Sequence, residues 1–400
     1  MSKSAGKVAS NSGPAMGRDH NSPWMNEEHI QLADMVRRFY TAELAPHIER
    51  WRKQGVVDRD FWRKAGELGL LGASMPDEYG GSGGDHGHDL VILLEHARTG
   101  DTSWGAGVHS IVSHYVLNCG SEEQKQRWLP RLISGELVGA IAMTEPGAGS
   151  DLQGIRTTAE ADGDELILNG TKTFITNGQT AELIIVVAKT DRAQGAKGTS
   201  LVVLETEGAE GFRRGRNLEK IGLKGQDTSE LFFDNVRVPR ANLLGGMEGR
   251  GFFQLMQELA YERLMVGVGA LGNCELALSE TISYVRERKA FGKHLMEFQN
   301  TRFKLAECKT RLEVMRAFVN QSIEELLAGR LDNAKAAMVK LWCCDTQGEI
   351  IDECLQLFGG YGYMLEYPIA RLYADARVQR IYGGTSEIQK EIIARSLDVD

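Results

Sequence analysis

The sequence predicts an α+β protein of several domains, with an N-terminal helical domain, a central antiparallel β barrel or sandwich, and a C-terminal four-helix bundle. Three observations predict this fold class. Apolar residues repeat at helical spacing in both outer thirds of the chain, β-rich runs fill the middle, and 400 residues with 42% hydrophobic content can bury several cores. The expected limits are 1–23 for a disordered arm, 24–140 and 141–245 for the first two domains, and 246–400 for the bundle.

Two segments predict the first helical domain. In "EEHIQLADMVRRFYTAEL", Ile30, Met35, Phe39 and Leu44 fall at helical intervals. The segment "SEEQKQRWLPRLISG" begins with a serine suited to cap a helix and ends at a glycine. The first 23 residues are small and polar and lack the apolar core of a secretory signal, so we expect a disordered arm there.

Short β-rich runs predict the central domain. "DELILNGTKTFITNG" places Asn169 and Gly170 between two such runs, and this pair favours a hairpin because a type I′ turn needs positive φ at both central residues. Further runs, "AELIIVVAKTD", "GTSLVVLETE" and "TSELFFDNVRVP", are rich in branched and aromatic residues. This pattern predicts a small antiparallel barrel or sandwich.

A long apolar stripe predicts the bundle. Its members are spaced by seven, three or four positions: Phe298, Leu305, Leu312, Met315, Val319 and Leu326. The next helix is expected from about Leu331 to Phe358, ending at two glycines. The sequence has no strand followed by GxGxxG and a helix, so it does not predict a Rossmann-type nucleotide site.

Composition excludes several functional classes. A formal net charge of −9 and a pI near 5.6 argue against a general nucleic-acid binder, which needs a basic face. Six cysteines without metal-ligand spacing indicate reduced thiols in a cytosol-like compartment. Because no apolar run reaches the roughly 20 residues that span a bilayer, we expect a soluble protein.

The loop "AMTEPGAGSDLQG" at 142–154 is one candidate binding segment. Gly147 and Gly149 allow backbone amides to approach a ligand, and the hydroxyls of Thr144 and Ser150 can donate to a flat cofactor. The same composition also fits an ordinary glycine turn that leads into the β domain. Composition alone leaves both interpretations open.

The segment "RERKAFGKHLMEFQ" is a second candidate. Arg288 could pair with a phosphate, Phe291 follows it at a helix break, and Gln299 begins the next helical stretch. A charged helix end explains the same residues without a ligand.

Glu262 is the third candidate, because it projects from an apolar helical stripe that contains Leu255, Leu259 and Val266. No cation on its own helix is spaced to pair with it. Such a carboxylate either forms a salt bridge to a distant arginine or lies in a cleft with a raised pKa, where it suits a general base.

His86 and His88 share a glycine-rich loop, "MPDEYGGSGGDHGHD". Two histidines can ligate a metal, but the sequence sets no third ligand at a recognisable spacing, so no metal site is expected.

In combination, the motifs resemble those of the acyl-CoA dehydrogenase family. They are "AMTEPGAGSD", "FITNG", "ERKAFGK", "QLFGGYGY" and "IYGGTSEI", and they extend the resemblance from about residue 25 to the C-terminus. The family fold is a helical domain, a β domain and a four-helix bundle, which agrees with the order predicted from periodicity.

The resemblance implies tightly bound FAD. One group of residues is implied to line the flavin ring and the acyl group: Met143, Thr144, Gly149, Ser150, Phe174 and Thr176. A second group is implied to contact the pyrophosphate and adenine of the FAD bound to a neighbouring subunit: Arg288, Phe291, Gln299, Gln356 and Gly360. Thr385 and Glu387 would add cofactor contacts beside the "YGGT" turn.

The implied reaction is α,β-dehydrogenation of an acyl-CoA thioester to the trans-2-enoyl-CoA. Short- and medium-chain members carry a catalytic glutamate in the "IYxGT" turn, where this chain has Gly383. The sequence "YERL" resembles the long-chain and isovaleryl-type subgroup, in which a bundle helix supplies the base, and this implies Glu262. The Gly383 amide would hold the thioester oxygen, with Tyr382 beside it, and Arg263 would hold the CoA portion or orient the helix.

The resemblance also implies partners and alternatives. It implies a homotetramer built as a dimer of dimers, an electron-transferring flavoprotein as acceptor, and a straight medium- to long-chain acyl-CoA as substrate. A branched-chain, isovaleryl-like enzyme, an oxygen-using acyl-CoA oxidase and a non-catalytic flavin- or acyl-CoA-binding paralogue are the alternatives. The expected location is a bacterial cytoplasm, or the mitochondrial matrix for a processed eukaryotic protein.

Overall fold

The computed structural model describes residues 22–397 and has the predicted α+β architecture. Six helices precede a seven-stranded sheet, and a group of long helices follows it. Nearly all of the predicted disordered arm lies outside the described residues. None of the helices in residues 22–397 is long and apolar enough to cross a membrane.

The first helical region packs on the sheet and on the C-terminal helices. Its helices are α1 (Glu27–Phe39), α2 (Ile48–Gln54), α3 (Arg59–Glu67), α4 (His86–Ala97), α5 (Ala106–Cys119) and α6 (Glu122–Ile133). Ser121 caps α6 as predicted, since its hydroxyl accepts from the Gln124 N–H at 3.3 Å. Trp51, Trp62 and Trp104 form part of the core between these helices.

The central region is a curled, mixed sheet. Its strands are β1 (Gly139–Ala142), β2 (Thr158–Asp162), β3 (Glu165–Thr176), β4 (Leu183–Lys189), β5 (Thr199–Glu205), β6 (Phe212–Asn217) and β7 (Thr228–Pro239). They run in the order β1-β4-β2-β3-β7-β6, with β5 paired to β4. Most pairings are antiparallel as predicted, but β1 and β2 are both parallel to β4, with Gly139 opposite Leu183 and Thr158 opposite Lys189. Every residue of β4 is buried, because one face packs on α5 and α6 and the other faces the curled interior.

The predicted hairpin at Asn169 and Gly170 is wrong. Both residues lie inside β3, where the pairing with β7 shifts register between Leu168 and Gly170. Gly170 has φ +151°, and a Cβ there would lie 2.4 Å from Thr157 Oγ1. The glycine therefore permits close approach of two chain segments at a bulge, while the actual turn between β2 and β3 contains Gly163.

The C-terminal region is built on three long helices, α7 (Gly251–Glu287), α8 (Gln299–Leu327) and α9 (Asn333–Phe358). The predicted stripe of α8 is correct, since Leu305, Leu312, Met315 and Val319 are buried in the bundle core. The short helices α10 (Pro368–Ala376) and α11 (Ser386–Arg395) pack on α9, and the two-residue strands β8 (Lys289–Ala290) and β9 (Lys293–His294) join α7 to α8. Because α4 and α5 pack on α7, the first and last regions meet at the middle of α7.

Candidate active site

Glu262 lies where α5 meets α7, and its partner is a tyrosine. The Tyr115 hydroxyl donates to Glu262 Oε1 at 3.0 Å. The pKa of Glu262 is raised to about 7: burial, the largest cause, and the Glu258 carboxylate raise it, whereas the Tyr115 hydrogen bond and Arg263 lower it. Within the described residues no arginine forms a salt bridge with Glu262, so the distant ion pair that the sequence left open is not formed.

A second carboxylate lies one turn earlier on the same helix. Glu258 accepts from the Asn118 side chain at 3.0 Å, and burial raises its pKa. Tyr115 and Asn118 both come from α5, so this helix supplies one hydrogen-bond donor to each glutamate. In this arrangement the carboxyl group of Glu262 can be either ionised or neutral near pH 7.

Arg263 is buried between α7 and the start of α9. Its side chain is buried, donates to Asn333 Oδ1 at 3.2 Å at the start of α9, and leaves Nε without an acceptor among the described residues. This geometry favours the helix-orienting role predicted for Arg263 over contact with CoA.

Two buried side chains hold the turn at Gly383 and Gly384 through hydrogen bonds to its carbonyls. Lys340 Nζ donates to the carbonyls of Gln379 and Gly384, both at 2.9 Å, and Gln389 donates to the carbonyls of Gly383 and Gly384. Both glycines have positive φ, +63° and +87°. The carbonyls are thus engaged inside the bundle, while the Gly383 N–H has no acceptor within residues 22–397.

Lys340 links this turn to the neighbourhood of Glu262. The ammonium is 1% exposed, burial lowers its pKa, and Arg263 is close enough to lower it further. Sequence reasoning missed Lys340, although a lysine inside the apolar run "AAMVKLW" is the same type of signal that identified Glu262.

The loop after β1 is anchored by a buried ion pair. Glu145 accepts from Lys172 Nζ at 2.9 Å, and Lys172 also donates to the Met143 carbonyl at 2.9 Å. Burial lowers the pKa of Lys172 to about 8, and Glu145 opposes that decrease. This pair, which sequence reasoning also missed, leaves Gly149 and Ser150 exposed at the tip of the loop, with Met143 and Thr144 half-buried at its base.

Phe174 presents its ring beside this loop. It has φ +59°, rare for a bulky residue, at a register shift of β3 between Lys172 and Ile175, and it is 67% exposed. Thr176, two positions later, is half-buried. An exposed aromatic side chain on a strained backbone suits contact with a ligand.

The second predicted group lies at the far end of α7. Its five members, Arg288, Phe291, Gln299, Gln356 and Gly360, are all exposed. Phe291 and Gly292 form the two-residue turn between β8 and β9, both with positive φ, and Phe291 is 95% exposed. Arg288 lies over the Tyr361 ring, 5.7 Å from its centroid.

Three more predicted residues lie at the "YGGT" turn. Thr385 caps α11, Glu387 is exposed in its first turn, and Tyr382 is 42% exposed before the two glycines. By element, the predicted residues fall into two sets: a first set on α7 at Glu262, at the "YGGT" turn and in the β1 loop, and a second set beyond the far end of α7.

Known proteins resemble this chain throughout. Models of the acyl-CoA dehydrogenase N-terminal, middle and C-terminal domains match residues 26–136, 140–236 and 249–397. The mitochondrial long-chain specific acyl-CoA dehydrogenase of Mus musculus is 49% identical, over 94% of this chain and 87% of its own length. Isovaleryl-CoA dehydrogenase of Pongo abelii is 37% identical, over 94% and 90%.

Solved structures agree. An acyl-CoA dehydrogenase from Geobacillus kaustophilus has a TM-score of 0.92 and 47% identity, covering 94% of this chain and 99% of its own. A glutaryl-CoA dehydrogenase from Mycobacterium smegmatis, solved in complex with FADH2, has a TM-score of 0.88 and 31% identity, covering 95% and 96%. With three consecutive domain models matched and a half-identical relative over most of its length, the chain belongs to the acyl-CoA dehydrogenase family.

Proposed function

We propose that this enzyme uses FAD to convert a medium- to long-chain acyl-CoA to the trans-2-enoyl-CoA, with Glu262 as the base that removes the α proton. The observation that carries the proposal is a half-buried carboxyl group whose pKa is raised to about 7 beside a tyrosine donor. Near neutral pH such a group is partly ionised and can accept a proton without a large cost.

The residues around the β1 loop fit a flat cofactor. The Phe174 ring is exposed, and an added Cβ at Gly147 or Gly149 would meet no atom within 4 Å, so these residues are not packed against other parts of the described chain. Met143, Thr144 and Thr176 are half-buried and Ser150 is exposed, so each retains some surface for a ligand. Bound FAD supplies the two-electron acceptor for the hydride that leaves the β carbon.

The glycine turn would stabilise the developing negative charge on the thioester oxygen. The α proton becomes acidic enough to remove only when that oxygen receives hydrogen bonds. The Gly383 N–H is the donor that we propose, because Lys340 and Gln389 engage the carbonyls of the turn and leave this amide free. Tyr382 would line the substrate beside it.

The position of the second set supports a dimer. Arg288 follows Glu262 by 26 residues on and just after α7, which is roughly 39 Å at 1.5 Å per residue. Residues that far from the base fit the outer end of a cofactor bound to another subunit better than the cofactor beside their own Glu262. We therefore propose that Arg288, Phe291, Gln299, Gln356 and Gly360 complete the FAD site of a partner in a homotetramer, with Thr385 and Glu387 as further contacts.

The choice of a straight-chain substrate rests on the relatives, because the space one turn beyond Glu262 has room for a few water molecules at most. One turn further along α7, Met265 borders a cavity of about 40 Å³ that Leu93 and Gly107 also line. A Cβ at Gly107 would lie 3.7 Å from Met265 Cε, so a larger side chain there would fill this space. The 49% identity to a long-chain enzyme, against 37% to an isovaleryl-type one, supports the same choice over a branched substrate. An electron-transferring flavoprotein as acceptor and a cytoplasmic or matrix location complete the proposal.

Anaerobic flavin bleaching tests the reaction. Straight-chain substrates from butyryl-CoA to palmitoyl-CoA are mixed with the purified protein, with isovaleryl-CoA in parallel, and the bleaching rate is followed. Medium and long chains should bleach fastest. Fastest bleaching by isovaleryl-CoA would favour the branched-chain alternative, and no bleaching of the bound flavin by any substrate would favour the non-catalytic one.

The base is tested with a matched pair of variants. Glu262→Gln should keep the flavin and the ligand but bleach orders of magnitude more slowly. Glu280→Gln changes another half-buried glutamate of α7 with a raised pKa and should bleach at the wild-type rate. Near-normal bleaching by Glu262→Gln would show that another group is the base.

A further inference from the structure

The two histidines at the start of α4 belong to two different polar clusters. Within each cluster, one nitrogen or oxygen of every member lies within 4.8 Å of the others. The clusters are His29, Asp85 and His88, and His86, Asp89 and His114. The tertiary structure thus supplies the further candidate ligands that sequence spacing did not reveal. The two clusters differ in their hydrogen bonds.

In the first cluster three of the four ring nitrogens have hydrogen-bond partners in the protein. His29 Nδ1 accepts from the Asn26 N–H at 3.2 Å, so a neutral ring carries its proton on Nε2 and donates to Asp85 Oδ1 at 3.1 Å. His88 Nδ1 accepts from the Asp85 N–H at 3.1 Å. These contacts complete the capping boxes of α1 and α4, so a structural role accounts for this cluster.

In the second cluster the unprotonated nitrogen of a neutral His114 receives no hydrogen bond. His114 Nδ1 donates to the Ser110 carbonyl at 2.9 Å, so a neutral ring has its lone pair on Nε2. The neighbours of Nε2 are Asp89 Oδ2 at 3.4 Å and Ser74 Oγ at 3.2 Å. Ser74 has a single proton, and its oxygen lies 2.5 Å from Asp89 Oδ2, the acceptor that takes it. The Nε2 atom therefore faces two oxygens without receiving a hydrogen bond from either.

His86 adds a second unmatched nitrogen. Its Nδ1 is buried and has no hydrogen-bond partner in residues 22–397. The ring stacks on His114 with 5.1 Å between centroids and lies 4.6 Å from the Tyr261 ring.

We propose that His86, Asp89 and His114 bind a divalent transition-metal ion, with Zn²⁺ as the best match. Two neutral imidazoles and one carboxylate are a common zinc ligand set. In tetrahedral sites the ligand atoms lie about 3.3 Å apart, close to the 3.4 Å between His114 Nε2 and Asp89 Oδ2.

The surrounding hydrogen bonds also suit a metal site. The Ser110 carbonyl fixes the tautomer of His114, and the Tyr261 hydroxyl donates to Asp89 Oδ2 at 3.2 Å, as groups that orient metal ligands do. Asp89 keeps a small exposed fraction, 12%, so water can supply the fourth ligand. The ion would join α4 to α5, and through Asp89 to Tyr261, the neighbour of Glu262 on α7.

Zinc titration of the untagged, full-length, FAD-containing protein tests this proposal. After treatment with a chelator, isothermal titration calorimetry with ZnCl₂ should show one tight site per chain. His86→Ala and His114→Ala should each lower the affinity at least about tenfold. His29→Ala and His88→Ala, in the other cluster, should bind as the wild type does. Zn²⁺ should also raise the melting temperature of the wild type and of His88→Ala, but not of His114→Ala.

Three results would overturn the proposal. They are the absence of zinc binding by the wild type, unchanged affinity in both His86→Ala and His114→Ala, and loss of binding in the variants of the other cluster instead. Circular dichroism before zinc is added checks that each variant is folded. The test does not depend on catalysis, so it is informative whether or not Glu262 is the base.

Discussion

Tyr115→Phe gives a sharp test of how the protein sets the basicity of Glu262. The change removes a hydroxyl that donates to Glu262 Oε1 at 3.0 Å and keeps the ring in its buried site. Burial raises the pKa of Glu262 to about 7 against this hydrogen bond, which lowers it. A hydrogen bond to a charged group contributes about 1.5–3 kcal/mol. Since one pKa unit corresponds to about 1.4 kcal/mol, the variant should raise the pKa of Glu262 by about 1–2 units.

The expected consequence is a displaced pH profile. At pH 7 the ionised fraction of Glu262 would fall from about one half to between about one tenth and one hundredth, so bleaching by acyl-CoA should slow about 5- to 50-fold. Raising the pH above the new pKa should restore most of the wild-type rate, because the carboxylate itself is still present.

Anaerobic stopped-flow bleaching as a function of pH measures this shift. Tyr40→Phe is the matched control, because it removes another buried hydroxyl, bonded to the Ile92 carbonyl, in the N-terminal helical core. Its profile should follow that of the wild type. An unchanged inflection in Tyr115→Phe, or a loss of rate that persists at high pH, would refute the reasoning.

Further predictions concern stability and the glycine turn. Because the pKa of Glu262 is raised on folding, its contribution to the free energy of unfolding decreases by up to about 3 kcal/mol as pH rises from about 4.5 to about 7. Urea unfolding of Glu262→Gln should lack this decrease. A difference in free energy of unfolding between wild type and variant that stays constant with pH would contradict this. Gly170→Ala should destabilise the fold by about 2–5 kcal/mol, because its φ is +151° and its Cβ would overlap Thr157, whereas Gly163→Ala, with open space around it, should cost about 1 kcal/mol; equal urea midpoints would contradict this. Lys340→Met should slow bleaching without moving its pH inflection, because it removes the donor of the Gln379 carbonyl and one of the two donors of the Gly384 carbonyl and so loosens the turn; a displaced inflection would indicate an effect on the base instead.

Local patterns predicted the fold well, because helical and strand periodicity are properties of neighbouring residues. The buried stripe of α8 and the cap at Ser121 follow directly from the sequence. The prediction at Gly170 was wrong because an Asn-Gly pair indicates only that the backbone can adopt positive φ. A glycine also allows two chain segments to approach closely without forming a turn. Only the position of Thr157 in the folded chain decides between these two uses.

The site was predictable only where a residue carries its own signal. Glu262 could be singled out as a candidate because a carboxylate within the apolar stripe of a single predicted helix is unusual. Tyr115, its partner, is 147 positions away and is an unremarkable tyrosine in the sequence, so its role depends on how α5 packs on α7. The same limit applied to His114, which completes a cluster with His86 only in the folded protein.

The backbone of the glycine turn explains why a carboxylate at Gly383 would not suit this chain. Gly383 has φ +63°, a region that costs other residues roughly 1–2 kcal/mol, and a Cβ there would lie 3.4 Å from Lys340 Cε. A glutamate would therefore strain the backbone, although its Cβ would make only an ordinary van der Waals contact with the lysine that holds the turn. A helix position has no such strain, and α7 already places Glu262 beside a hydroxyl donor from α5. In the mechanism we propose, the carboxylate on α7 removes the proton and the amide of the turn binds the oxyanion, so the two roles belong to separate elements that can be altered independently of each other.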